Sequence, residues 1–381
     1  MIHPLSGVQV VEIASYGTGP YCGMLLADMG ATVIKIEEPT TGDPFRAWPP
    51  KVGETGAGFL ALNRNKKSIA LDIKSDTGKE SVLELMRHAD IIVQNLRPGI
   101  LAKYGLDFES IKRVNSRIIY CSISAYGQDG PRAQEGGFDL TLQARSGVMS
   151  VTGEENGPPA KCGVPVVDFA TGLYAAYAIA SYATQERANR PPIHLDISMM
   201  AVSLSIASLQ TAQALTTDVN PKRLGSRHPN NSPYQAYEAS DGYIAIAAGN
   251  DKLWASTCEA LDCMPLLQAP NFATVEARAS NQVELSKFLE TILRKNTRSH
   301  WLEVLCIHGV PCAPVNNYLE ALEDIQVKHM GLVSNLTCER TGNQIPVVGP
   351  ILKVNGRKQE IYSSPPSLGE HNHHLLKTRP T

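Results

Sequence analysis

Between Val8 and Ile36 the chain sets two runs of apolar residues on either side of a helix-length segment: Val8-Gln-Val-Val-Glu-Ile-Ala14, Tyr21 to Met29, and Ala31-Thr-Val-Ile-Lys-Ile36. Strands that are apolar on both faces have to be covered on both faces, and a parallel sheet flanked by helices does this. The opening therefore predicts a βαβ unit. Short apolar strands at Ser68–Asp72, Asp90–Gln94 and Ile118–Ser124 alternate with helix-length Gly78–His88 and Phe108–Val114, which extends the expectation to an α/β, Rossmann-like sheet. A long helix is predicted from Asp168 to Arg187, ending before Asn189-Arg-Pro-Pro192, with a strand at Ile193–Ile197.

At 381 residues the chain is long for a single core. The predicted division is a large Rossmann-like domain begun by residues 1–200, a linker at 201–224, a small α+β domain at 225–320, and a return segment, 321–381, completing the large domain. A hairpin is expected in the small domain, with Pro233–Glu238 and Tyr243–Ala247 joined by Ala-Ser-Asp-Gly.

The 35 Lys and Arg against 37 Asp and Glu leave a formal net charge of −2, so no global basic field exists to hold nucleic acid or an anionic membrane. Apolar stretches such as Leu173 to Ala180 fall short of the roughly 20 residues a membrane span needs. The N-terminus enters a strand without a leader pattern, which predicts a cytoplasmic protein, a mitochondrial location being left open. Cysteines at 22, 121, 162, 258, 263, 306, 312 and 338 form no CxxC pair, which argues for reduced, buried thiols and no metal site.

Gly17-Thr-Gly19-Pro20, with Gly23 beyond and Glu37 ending the second strand, approximates a dinucleotide fingerprint, but Cys22 occupies the position where close helix–strand packing asks for glycine. A tight turn with Pro20 at a helix start explains the same residues. Asn63-Arg-Asn-Lys-Lys67 gathers three cations suited to phosphate, or to a solvated turn. Arg97, Lys103 and Lys74 stand at or beyond predicted strand ends, the ligand side of an open α/β sheet. Asp168 follows Gly163-Val-Pro-Val-Val167 and opens the long helix; it reads either as an N-cap or as a nucleophilic carboxylate able to form an acyl anhydride. The His371-Asn-His373-His374 run reads as a helix start, without chemistry.

Read together, Leu25-Leu-Ala-Asp-Met-Gly-Ala-Thr-Val-Ile-Lys-Ile-Glu37, Gly42-Asp43, Asn63 to Asp72, Asn95-Leu-Arg-Pro-Gly99, Ser122 to Pro131, Gly137-Phe-Asp139, Val167-Asp168 and Gly369-Glu-His371 resemble the class III CoA-transferase family over nearly the whole chain. Ile119 to Gln128 looks most like its branch acting on short dicarboxylates such as glutarate. The resemblance implies an interlocked homodimer and CoA exchange between an acyl-CoA such as succinyl-CoA and a free carboxylic acid, with Asp168 as nucleophile and Asp139 beside it. It also implies CoA as a substrate moiety with no permanently bound cofactor, lying against Tyr16, Gly17, Leu71, Asp72, Ile73, Lys74, Asn95, Leu96, Arg97, Lys103 and Phe138. Glu38 stands where the family often has Arg, and Arg227, His228 or Arg145 is offered as the cation for a remote carboxylate. The α-methylacyl-CoA racemases of the same superfamily pair the Asp with a His where Phe138 stands here, which favours transfer over racemisation. An NAD-linked oxidoreductase and a non-catalytic CoA-binding protein are the other readings.

Overall fold

The computed structural model describes residues 3–337 and 342–376. The chain divides into two compact units, Met1–Val148 with Lys161–Val219 and Lys328–Thr381, and Met149–Ala160 with Asn220–Val327.

The first unit contains β1 (Gln9–Ile13), α1 (Thr18–Asp28), β2 (Thr32–Glu37), β3 (Lys66–Ala70), α2 (Asp76–His88), β4 (Ile91–Gln94), β5 (Ile119–Ser124), α3 (Asp139–Arg145), α4 (Val166–Ala183), β6 (Ile193–Ser198), α5 (Met199–Ile206) and α6 (Ser208–Thr217). The strands form one parallel sheet in the order β3-β2-β1-β4-β5-β6. Successive side chains point to opposite faces: Val10 joins a core with residues of α1 and α4, and Val11 joins another with Val82 and Met86 of α2. That is why the strands read as largely apolar runs, broken by buried charges such as Glu12 and Lys35 that pair with each other. The order reverses between β1 and β4, so the segments leaving their C-terminal ends, at Ser15–Gly17 and Asn95–Arg97, face each other across a crevice.

The edge strand β3 is covered by side chains from the chain's end. Asn372 accepts from Ala70 N at 2.8 Å, and the Ser68 N–H donates to His371 Nδ1 at 3.2 Å. Burial holds the His371 imidazole below its ordinary pKa and so keeps that acceptor neutral. His371 and Asn372 therefore cover this sheet edge.

In the second unit, β7 (Tyr234–Ala239), β8 (Gly242–Ala247) and β9 (Cys312–Pro314) form an antiparallel sheet in the order β9-β8-β7. Helices Asp251–Ala260, Gln282–Leu293 and Arg298–Ile307 contribute Trp254, Leu285 and Trp301 to its core. Segment 149–160 belongs to this unit: Arg227 pairs with Glu155 at 2.5 Å and Arg223 donates to Gly157 O at 3.0 Å. Residues 199–217, most of which fall in the expected linker, are instead α5 and α6 of the first unit.

The thiols are free but not uniformly buried. Cys306 is exposed and Cys162 and Cys312 are half-buried; Cys338 lies outside the described residues.

Candidate active site

Asp168 is the third residue of α4 rather than its N-cap, since the helix begins at Val166. The capping role belongs to Asp139. Its Oδ1 accepts from Val167 N at 2.9 Å and Asp168 N at 3.4 Å, and its Oδ2 accepts from the buried Gln143 Nε2 at 2.6 Å. Gln143 in turn accepts from Cys162 N at 2.8 Å, which ties down the approach to α4. Asp139 thus serves the backbone that carries Asp168.

The Asp168 carboxylate itself accepts one side-chain hydrogen bond, from Thr18 Oγ1 to Oδ1 at 3.0 Å. Its Oδ2 faces Gly17, where a Cβ would stand 2.8 Å away. A Cβ on Gly172, one turn further along α4, would meet Thr18 O at 2.6 Å, so these two glycines let α1 and α4 approach closely enough for Thr18 to reach Asp168. Burial pushes the Asp168 carboxyl up to about 6; the Thr18 hydrogen bond opposes the shift and the Asp139 carboxylate adds to it. The outcome is a weakly solvated carboxylate that is still largely ionised at neutral pH.

A cavity of about 250 Å³ adjoins it, lined by Ser15, Tyr16, Thr18, Asn95, Leu96, Arg97, Phe138, Asp168 and others. A second, of about 220 Å³, shares Ser15 and Leu96 and is lined by Leu71, Asp72, Ile73, Lys74, Glu38 and Asp43. Both open at the carboxyl ends of the strands. The structure thus brings Tyr16, Asn95, Leu96, Arg97 and Phe138 to one cavity with Asp168, and Leu71 to Lys74 to its neighbour. Lys103 is exposed and lines neither cavity. The Asn95 amide is engaged by Ser15, accepting from its N–H at 3.0 Å and donating to its carbonyl at 2.8 Å.

Several charges available in the sequence are already spent. Arg64 pairs with Asp28 at 2.6 Å and Lys66 with Glu12 at 2.8 Å, all four buried, so two of the three cations in Asn63–Lys67 brace the interior and are not available to a phosphate. Glu37, the ribose-binding position of a dinucleotide fold, is 4% exposed and held by Arg46 and Ser68, which removes the NAD reading's acidic ligand. Arg145 pairs with Glu135 at 3.3 Å and Arg227 with Glu155, so neither stands as a free cation. Glu38 sits exposed on the second cavity; hydrogen bonds, led by the Thr41 amide, hold its carboxyl below the ordinary range, leaving a fixed negative charge there. The sequence reading missed Thr18, whose partner Asp168 is 150 positions away, and Gln143, a common polar residue with nothing local to mark it.

The pattern of CoA-transferase family III matches residues 5–372. The chain is 38% identical over 377 residues to the human succinyl-CoA:glutarate CoA-transferase, covering 99% of this chain and 86% of that one. It is 37% identical over 380 residues to a succinate–glutarate CoA-transferase of Agrobacterium fabrum, covering 98% and 95%. A crystal structure of a CaiB/BaiF family protein from Brucella suis superposes with a TM-score of 0.89 at 35% identity, covering 99% of each chain.

Proposed function

From a chain that belongs to CoA-transferase family III, and is therefore a CoA-transferase, we propose that Asp168 carries CoA between a short dicarboxylic acyl-CoA such as succinyl-CoA and a free carboxylic acid, glutarate being the first to test. The observation that carries this reading is a half-buried carboxylate with one oxygen fixed by Thr18 and the other free, lining a cavity at the sheet's switch point. An oxygen of Asp168 attacks the donor thioester carbonyl, and the C–S bond breaks to give an aspartyl anhydride and CoA thiolate. The thiolate attacks the aspartyl carbonyl, forming aspartyl-CoA and releasing the donor acid. The acceptor carboxylate then attacks aspartyl-CoA, and the thiolate expelled takes the acceptor acyl group from the second anhydride, regenerating Asp168. Over the cycle one thioester is consumed and one is formed, with a free carboxylate on each side, so neither ATP nor a redox cofactor enters the balance.

CoA would lie along both cavities, its thioester by Asp168, Tyr16 and Phe138, and its phosphates toward Arg97 and Lys74. Lys103 has no part in this placement. A homodimer is part of the proposal: α6 buries none of its residues, and Leu209 and Leu215 are 78% and 86% exposed, an apolar face suited to a second copy.

The test is to incubate the protein with succinyl-CoA and glutarate, without ATP, and follow acyl-CoA species by mass spectrometry. Glutaryl-CoA formed by the unaltered protein and not by Asp168→Ala supports the reading. Turnover retained in that variant overturns it.

A further inference from the structure

Tyr16 holds a left-handed backbone conformation, φ 66°, which an L residue with a bulky side chain adopts only when its surroundings impose it. Those surroundings are specific. Lys35 Nζ donates to Ala14 O at 2.5 Å; the Asn95 amide bonds both the N–H and the carbonyl of Ser15; Tyr16 N donates to Asp43 Oδ1 at 3.2 Å. The other Asp43 oxygen is paired with Lys35 at 2.9 Å, and Lys35 also pairs with Glu12 at 3.0 Å, all within the buried interior. Asp43 receives a further N–H from Phe45 at 3.0 Å and is oriented by its own N–H to Glu37 at 3.1 Å. The turn that these groups fix leads directly into Gly17 and Thr18, the two residues against the Asp168 carboxylate.

We propose that Asp43, anchored on Lys35, is a positioning residue for the transfer reaction: it holds Tyr16 in the left-handed conformation and thereby sets Gly17 and Thr18 against Asp168. The effect on turnover rests on the function proposed above; the effect on the turn does not. Burial opposes the charge on Lys35, but Glu12 and Asp43 outweigh it and hold its pKa above the ordinary value, so the anchor stays charged across the working pH range.

Four variants decide the matter: Asp43→Ala, Asp43→Asn, Tyr16→Gly and the double variant Asp43→Ala/Tyr16→Gly. Each is measured for kcat, KM, melting temperature and hydrogen exchange of the segment around residue 16. Asparagine keeps an acceptor for the Tyr16 amide but loses the pair with Lys35, whereas alanine loses both. If Asp43 positions the turn, Asp43→Asn melts about as low as Asp43→Ala yet keeps a kcat about tenfold higher, the size expected of one strained backbone conformation. Glycine takes a positive φ without strain, so adding Asp43→Ala to Tyr16→Gly lowers kcat far less than it does in the unaltered background. Equal losses in both backgrounds, or kcat simply following melting temperature, overturn the proposal. Faster exchange of the turn amides in Asp43→Ala but not in Asp43→Asn is expected whether or not the protein transfers CoA; unchanged exchange overturns the positioning role, while its presence without any transfer in the unaltered protein condemns only the functional reading.

Discussion

The hydroxyl of Thr18, at the start of the helix after β1, donates to Asp168 Oδ1 across 150 positions of sequence at 3.0 Å. It orients the carboxylate and is the one side-chain donor that favours its charged form. Thr18→Val should therefore lower kcat about tenfold or more, in line with a lost hydrogen bond to a charged group, with Thr18→Ser recovering most of it. Steady-state kinetics on the two variants check this, and equal activity in both would remove Thr18 from the site.

The pH dependence follows from the same carboxylate. Its pKa lies near 6, so the nucleophilic form is lost as pH falls through that value. The kcat/KM profile should be flat above about pH 7 and fall about tenfold per unit below the pKa. Thr18→Val, by removing a stabiliser of the anion, should move this limb to higher pH.

Asp139 acts on Asp168 in two separable ways, as a cap of α4 and as a like charge. Asp139→Asn keeps an acceptor for the Val167 amide and removes the charge, so the acid limb should shift to lower pH, while its amide N–H facing the Gln143 donor lowers the melting temperature somewhat. Asp139→Ala should in addition cost about 1 kcal/mol of stability from the lost cap. Chemical denaturation together with the pH profile separates the two effects.

The raised pKa also implies that Asp168 destabilises the folded protein. Because the folded pKa lies above the unfolded one, the native state holds its proton more tightly, and stability is lost as pH rises from about 4 to 6. Asp168→Asn should melt higher than the unaltered protein at pH 7, by an increment on the order of 2 kcal/mol, and the difference should vanish below about pH 4. Melting curves at several pH values test the sign, and a lower melting temperature for Asp168→Asn at pH 7 would contradict it.

Gly17 offers a steric test. Its backbone, φ −88°, is one that alanine tolerates, but the added Cβ would stand 2.8 Å from Asp168 Oδ2. Gly17→Ala should fold and bind CoA while losing most of its turnover, since the methyl occupies the path of the attacking oxygen. Retained kcat would show that the substrate approaches from elsewhere.

What the residues determined by themselves is local or periodic. Strands covered on both faces are mostly apolar, the exceptions here being charges paired with one another, so the βαβ opening and the parallel sheet were legible at Val8–Ile36 and onward. Asp168 stood out twice, as a carboxylate between apolar and small residues at a helix start and by the resemblance of the motifs around it to a known family. What the tertiary structure alone decided is which charges remain available. Arg64 and Lys66 look like a phosphate loop in sequence, and only folding brings Asp28 and Glu12 against them, because an ion leaving water needs a counter-ion that can come from any strand. For the same reason the cap of α4 sits 28 residues before Val167, and the brace of Tyr16 comes from Asp43. Backbone periodicity is written along the chain, whereas the pairing of buried polar groups is settled by distances in space that the order of residues does not encode.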